Sequence, residues 1–317
     1  MKNQIAKVLF PAVALLCLTP YFSSAWALFS GVVLAVTLGN PYAEFTKKST
    51  HKLLSWSVIG LGAGMNLLVV AQVGVQGIGY TILGIASTLI LGTVVGRLLK
   101  VQENTSLLIT VGTAICGGSA IAAVSPVIKA KHHEVSVALG TVFLLNATAL
   151  FLFPWLGHHF QLTEAQFGLW SALAIHDTSS VVGSTLQFGP HALEVGTTVK
   201  LARALWIVPV SFGIGILWAR KNKSQDAGAA GKAKKPWFIL GFLAMAALVT
   251  WVPLLKTPGH YIDLIAKKTL VLTLFFIGAN LTRETIRSVG VKPFLQGVLL
   301  WILAASGTLG AILLGWI

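Results

Sequence analysis

Eleven apolar runs follow one another along this chain, and a chain built that way is fit for a lipid bilayer and little else. The runs cover residues 8–18, 26–38, 53–70, 78–99, 107–128, 135–156, 167–186, 196–218, 237–255, 264–281 and 294–317. About 20 apolar residues suffice for a helix to cross the hydrocarbon core. At that length the runs take up roughly 220 of the 317 positions and leave loops averaging about eight residues. The expected fold is an all-α polytopic membrane protein of about 9–11 transmembrane helices, with residues 1–317 forming a single integral membrane domain.

Charge content supports this reading. Only 10% of the residues are Asp, Glu, Lys or Arg, against about a quarter in soluble domains. A water-facing surface or a large catalytic domain outside the membrane cannot be made from that. The formal charge of +14 would suggest nucleic-acid binding in a soluble protein. Here the basic residues cluster in short loops between apolar runs, where they set orientation, so no nucleic-acid partner is expected. Cys17 and Cys116 are too few for a disulfide framework.

The first 27 residues combine Lys2 and Lys7, an apolar run and Ala25-Trp26-Ala27, a passable signal-peptidase site. A further apolar run follows at once, so a retained helical hairpin is preferred to a cleaved signal. Either reading starts the chain in the cytoplasm and places residues after Tyr21 outside. Residues 220–235, rich in Lys, Ala and Gly, read as a flexible cytoplasmic linker.

Counting Lys and Arg loop by loop singles out two runs. With Lys47, Lys48 and Lys52 inside, and Arg97 with Lys100 inside again, a full crossing by 107–128 would put Lys129 and Lys131 outside. It would also put the loop 157–163, which has no Lys or Arg, inside. Both outcomes break the positive-inside rule. If 107–128 and 167–186 instead enter and return on their own sides, the rule is restored, with Lys256, Lys267 and Lys268 as exceptions under either topology.

Both runs also contain helix-breaking sequences. The first reads Thr113-Ala114-Ile115-Cys116-Gly117-Gly118-Ser119-Ala120-Ile121, with paired glycines that disfavour helix. The second reads Ala174-Ile175-His176-Asp177-Thr178-Ser179-Ser180-Val181, rich in capping side chains. Offset by 60 residues they share Ala-Ile, then a Ser, then a β-branched residue, as diverged copies of one element would. Entering from opposite faces, they would form an inverted pair with tips near mid-membrane. A weaker echo links Gly62-Ala63-Gly64-Met65-Asn66-Leu67 to Ile277-Gly278-Ala279-Asn280-Leu281.

Irregular backbone at membrane depth must be buried in protein or face a watery cavity. Half-helices starting at Gly118 or Ser119 and at Thr178 or Ser179 would point free N–H groups into that cavity and favour an anion. Lys200 and Arg203, three apart on one helical face, are intramembrane cations and functional candidates. The plainer reading has Lys200 snorkelling and Arg203 paired with Asp177. His176 and Asp177 are candidates for coupling or gating, and so are Asn66 and Asn280. His132, His133, His158 and His159 lack partners at metal spacing, so no metal is expected. Asn146 reads as a hydrogen-bonding link between helices. Gly60-x-x-x-Gly64 and Gly92-x-x-x-Gly96 read as close-packing patterns.

The segment Gly112 to Ala123 with Ser125-Pro126-Val127-Ile128, the segment Ala174 to Gly183, and Val199-Lys200-Leu201-Ala202-Arg203 together resemble the YeiH family of sulfate exporter-like inner-membrane transporters. The resemblance spans residues 53–281. Asp177-Thr178-Ser179 departs from what many members carry and marks a variant branch. The resemblance implies a bacterial inner-membrane transporter with inverted repeats, distantly similar to the bile-acid/sodium symporter type of fold. In that type the broken helices cross and span fully, so loop charge and fold analogy point to different topologies here.

The expected function is secondary transport of a small anion, sulfate or an organosulfonate, by alternating access. The anion would contact Thr113, Cys116, Gly117, Gly118, Ser119, Thr178 and Ser179, with charge from Lys200 or Arg203. No cofactor is expected beyond a coupling H+ or Na+, and a homo-oligomer is left open. A channel is the alternative. An intramembrane enzyme using His176 and Asp177 is disfavoured, because no nucleophile elbow, metal-binding helix or Walker A motif accompanies them.

Overall fold

The computed structural model describes residues 2–19, 22–221, 237–283, 287 and 289–317. All but the first two residues of the 220–235 linker lie outside the described residues. Helices α1 (Lys2–Leu16), α2 (Ser24–Thr37), α3 (Ala43–Leu61) and α4 (Leu67–Leu98) come first. Two pairs of short helices follow, α5 (Glu103–Ala114) with α6 (Gly118–Val124) and α8 (Glu164–Ala174) with α9 (Thr178–Phe188), separated by the long α7 (His132–His159). The chain continues through α10 (Pro190–Leu205), α11 (Ile207–Lys221), α12 (Trp237–Trp251), α13 (Lys256–Ala279) and α14 (Val291–Leu313). No strand occurs among the described residues. An all-helical solution is what lipid demands, since a helix satisfies its backbone polar groups within one segment.

Four helices among the described residues are long and apolar enough to cross a membrane, namely Ile78–Leu98, His133–His159, Pro190–Trp218 and Val291–Leu313. A fifth counts if α12 and α13, bent by 112° at their junction, are taken as one. The even succession of apolar runs in the sequence therefore overstates the number of uninterrupted spans. Hydropathy does not register a break made by residues that are themselves apolar or small.

Packing sorts the helices into two bundles. In the first, α13 lies against α2 and α3, and α12 against α3. Asn40 Nδ2 donates to Ala279 O (2.9 Å) and Thr46 Oγ1 to Asn280 Oδ1 (2.7 Å), which places the start of α3 beside the end of α13. Ala6 and Phe10 of α1 are buried against Phe275 of α13, so the first helix is part of this core.

In the second bundle α10 packs on α8, α9 and α4, while α14 packs on α4, α5 and α8. Its tightest joint is where Gly92 and Gly96 meet Thr110 and Ser106 so closely that a Cβ on either glycine would collide with them. Gln296 of α14 closes this joint, its Nε2 donating to Ser106 Oγ (2.9 Å) and reaching Gly92 O and Thr110 Oγ1 (3.2 Å each). The Gly92-x-x-x-Gly96 pattern thus serves packing. Gly60 and Gly64 do the same in the first bundle, against Ala266 and Asp263.

Each pair of short helices enters and returns at one end of α7. Gln102 Nε2 and Asn104 Nδ2, at the start of α5, donate to Glu134 Oε1 (2.7 Å) and Oε2 (3.0 Å) at the start of α7. The second pair is closed at the other end of α7. There Glu164 Oε2, at the start of α8, accepts from the backbone N–H of His191 (2.7 Å) and Ala192 (3.2 Å), just past the end of α9. The Phe188 ring stacks on Phe167 (3.8 Å) and His158 (4.4 Å) at the same place. Helix α7 has 28 residues and is about 42 Å long, enough to separate the two mouths by a full membrane thickness. The topology is the pair of opposed hairpins favoured by loop charge, and not the crossed pair favoured by fold analogy.

Two of the three lysines that broke the charge rule have partners within the protein. Lys267 Nζ pairs with Asp263 Oδ2 at 2.7 Å, and Lys268 Nζ donates to Thr19 O at 2.7 Å beyond the end of α1. Neither acts as a free orienting charge.

Candidate functional site

The arms of both hairpins are short. At 12 and 11 residues, α5 and α8 reach about 16–18 Å, roughly half the hydrocarbon thickness, so their tips meet at depth. Helix α5 stops at Ala114 and α8 at Ala174, then α6 begins at Gly118 and α9 at Thr178. Both boundaries carry the same offset of 60 that aligns the two sequences. A Cβ placed on Gly117 would lie 3.1 Å from Asp177 Cβ and 3.4 Å from its Cα, so the tips are in van der Waals contact.

The two breaks are made by different means. Gly117 takes φ +64°, ψ −123°, a conformation L side chains rarely adopt, and no side chain caps α6. Asp177, its counterpart, is extended at φ −98°, ψ 158° and caps α9 with its side chain. Asp177 Oδ1 accepts from Ser180 N (2.6 Å) and Ser179 Oγ (2.8 Å), and Oδ2 accepts from Asn146 Nδ2 (2.7 Å). Asn146 Oδ1 in turn accepts from His176 N at 3.2 Å. Asn146 of α7 is therefore the strut that holds the second break open, a role beyond general packing.

Helices that end at a break leave carbonyls unpaired, and burying those in lipid or protein is costly. Lys200 and Arg203 answer this need, and both are essentially fully buried. Lys200 Nζ donates to Ile175 O (2.6 Å) and Ala172 O (3.4 Å). Arg203 Nε donates to Ala114 O (2.8 Å), while its Nη atoms reach Thr113 O (3.3 Å), Ala172 O (3.3 Å) and Leu173 O. One guanidinium thus joins the carboxyl ends of α5 and α8, where the helix dipoles are negative. Neither the snorkelling Lys200 nor the Arg203–Asp177 pair of the plainer sequence reading occurs. Nor does either cation lie on a cavity wall, so the expectation of direct contact with a ligand is replaced by a charge set behind the tips.

A cavity of about 600 Å³ opens from the tips between the two bundles. Cys116, Gly118, Ser119, Asp177, Thr178 and Ser179 line it at the breaks. Leu54 and Val58 of α3, Leu139 and Phe143 of α7, Phe238 of α12 and Ile277 of α13 form its flanks. Lys47, Thr50, Ser136 and Asn280 line it too, and Lys47 is exposed at the end where α3, α5 and α7 start. That is the end with Lys48, Arg97, Lys129 and Lys131. Ser119 is exposed to the cavity, whereas Ser179 is buried with its hydroxyl held by Asp177.

The other residues singled out from the sequence fall elsewhere. Thr113 is buried behind the first tip and does not line the cavity. His176 is buried to 1% exposure, with neither ring nitrogen hydrogen-bonded, and it too is off the cavity wall. Asn66 caps α4, accepting from Leu68 N at 2.9 Å, at the end of α3 remote from Lys47. Its partner in the weaker echo, Asn280, is at the cavity. No group of three or more metal-ligating side chains occurs among the described residues.

Sequence reasoning missed Lys47, Phe143 and Phe238 as cavity residues, and Glu134 and Glu164 as the clasps of the hairpin mouths. The clasps carried a signal. The chain holds nine acidic residues, and one stands at the start of each helix that a hairpin mouth must bind. The cavity flanks carried none, being ordinary apolar residues of separate helices.

The chain matches the family described as "Conserved hypothetical protein 698" over residues 8–297. It is 69% identical over 316 residues to a UPF0324 membrane protein of Bdellovibrio bacteriovorus, covering 100% of this chain and 97% of the relative. It is 50% identical over 299 residues to a UPF0324 membrane protein of Bacteroides thetaiotaomicron (91% and 87% covered). It is 47% identical over 314 residues to one from Geobacter sulfurreducens (99% and 98% covered). No solved structure matches the chain.

Proposed function

The chain belongs to the family described as Conserved hypothetical protein 698, the YeiH-like family of membrane proteins to which its motifs point, and from that premise we propose that it is a secondary transporter of a small anion in the bacterial inner membrane. The observation that carries the proposal is the meeting of two opposed hairpins at the floor of one cavity, with two buried cations behind the tips. An inverted pair of broken helices between two bundles is the arrangement from which alternating access arises by rocking one bundle against the other.

In this reading the anion rests against the start of α9, where the first N–H groups of a helix have no partner within it, and against the hydroxyls of Thr178 and Ser119. The cavity is lined up to the exposed Lys47, at the basic end of the molecule. By the positive-inside rule that end is cytoplasmic, so the conformation is open inward and the N-terminus is inside. Coupling to H+ or Na+ is read from the dependence of exchange on each gradient.

Reconstitution into liposomes tests the proposal. Entrapped anion should exchange with labelled external anion along a saturable curve. Ala122→Trp, at an exposed position of α6 on the cavity wall, should block exchange while the protein inserts normally. Non-saturating conductance would replace the carrier with a channel, and undiminished exchange in A122W would remove the cavity from the route.

A further inference from the structure

The cavity walls and the charge behind the tips narrow the class of substrate, an inference that rests on the reading of the cavity as an anion route. Its polar surface is concentrated at the breaks and around Lys47, with Ser55 on the α3 wall. Between them the flanks are Leu54, Val58, Leu139, Phe143, Phe238 and Ile277. A bare inorganic dianion gains nothing from such flanks. Sulfate is strongly hydrated, and taking it from water requires hydrogen-bond donors on every side.

The charges point the same way. Lys200 and Arg203 are both held by backbone carbonyls, and Asp177 faces the cavity with three hydrogen bonds already made. At the breaks, two cations against one carboxylate leave a single positive charge to balance a headgroup, while Lys47 adds a second at the outer end of the cavity wall. Because neither Lys200 nor Arg203 lines the cavity, the charge at the breaks acts through space and selects the sign of the ligand without demanding one headgroup geometry.

We propose that the cavity takes an organic monoanion with an apolar body, such as an alkyl- or arylsulfonate, in preference to sulfate. The headgroup lies at Thr178 and Ser119 and the body lies along Phe143 and Phe238. A cavity of about 600 Å³ has room for a body of several carbon atoms.

The test uses the whole protein in phosphatidylcholine nanodiscs and reads the thermal midpoint against sulfate, methanesulfonate, butanesulfonate and benzenesulfonate, with butyltrimethylammonium as a cation of similar apolar size. Stabilisation by a ligand that binds the folded state follows its affinity. Butanesulfonate and benzenesulfonate should bind about tenfold or more tightly than methanesulfonate, since each buried methylene adds to affinity. Sulfate should be weakest and the ammonium ion inactive. Phe143→Asn should flatten the dependence on body size and leave methanesulfonate unchanged, and the wild-type series carries the test alone if that variant does not fold. Sulfate binding as tightly as the sulfonates, or the ammonium ion stabilising equally, overturns the inference while anion transport stands in the first case. Stabilisation by none of the anions overturns this inference and the transport reading together.

Discussion

The two hairpins are the same element solved twice, once with backbone and once with side chains. At the first tip, Gly117 turns the chain through a conformation reserved for glycine, and the returning arm α6 has seven residues. At the second, Asp177 stays extended and recruits Asn146, Ser179 and Ser180 to stop one helix and start the next, and α9 has eleven residues. The first tip is therefore held by what its backbone can adopt, the second by a hydrogen-bond network anchored in α7. Arg203 is what they share. The contrast extends to the serines that follow each turn: Ser119 is exposed to the cavity, while Ser179 at the matching position is buried with its hydroxyl held by Asp177.

The comparison is most severely tested at the shared cation. Arg203→Gln should leave carbonyls of both α5 and α8 unpaired and cost on the order of 3–5 kcal/mol, read as a fall in the denaturant midpoint of the purified protein. Lys200→Met, which uncaps α8 alone, should cost about half as much. Equal stability of R203Q and wild type would show that the tips do not depend on a common brace.

Next in size is the contrast between the turns themselves. Gly117→Ala must adopt an unfavourable φ and press on Asp177, for a loss of about 2–3 kcal/mol. Asp177→Asn keeps a capping oxygen but turns an amide N–H toward the donor Asn146 Nδ2, and should lose about 1–2 kcal/mol. The reverse order would mean that the first break is not backbone-determined.

The network at the second break can be dissected by a double-mutant cycle on Asn146→Ala and Asp177→Ala. A coupling of about 1–2 kcal/mol is expected, because the pair shares a buried hydrogen bond. Additive losses would break the claim that Asn146 acts through Asp177. The smallest effect belongs to Ser119→Ala, whose hydroxyl faces the cavity and whose stability change should stay within about 0.5 kcal/mol. Ser179→Ala, by contrast, removes a buried hydrogen bond and should lose about 1 kcal/mol. A larger loss for S119A than for S179A would invert the assignment of exposed and buried tips.

Much of this architecture could be read from residues alone. The paired glycines and the His-Asp-Thr-Ser-Ser run located both breaks, because helix propensity and capping are local properties. Lys and Arg in the loops favoured hairpins over crossings, because orientation in a bilayer is decided loop by loop, but the resemblance favoured crossings, and only the hairpin mouths decide between the two. The roles of Lys200 and Arg203 could not be read this way. Their spacing says that they share a helical face, and an anion in a cavity or the carbonyls of two severed helices would be equally good partners for that face.

What the sequence determined by itself, then, is where the helices stop, which end of the molecule is basic, and that a cation pair lies within the membrane-spanning part. What only the tertiary structure decided is who meets whom: Arg203 with both carboxyl ends, Asn146 with Asp177, and Phe143 with Phe238 on the flanks of one cavity. The physical reason is range. Backbone preference and loop charge act within a few residues, whereas a buried carbonyl, carboxylate or cation takes whichever partner the packing of distant helices delivers, and the lipid leaves it no water to choose instead.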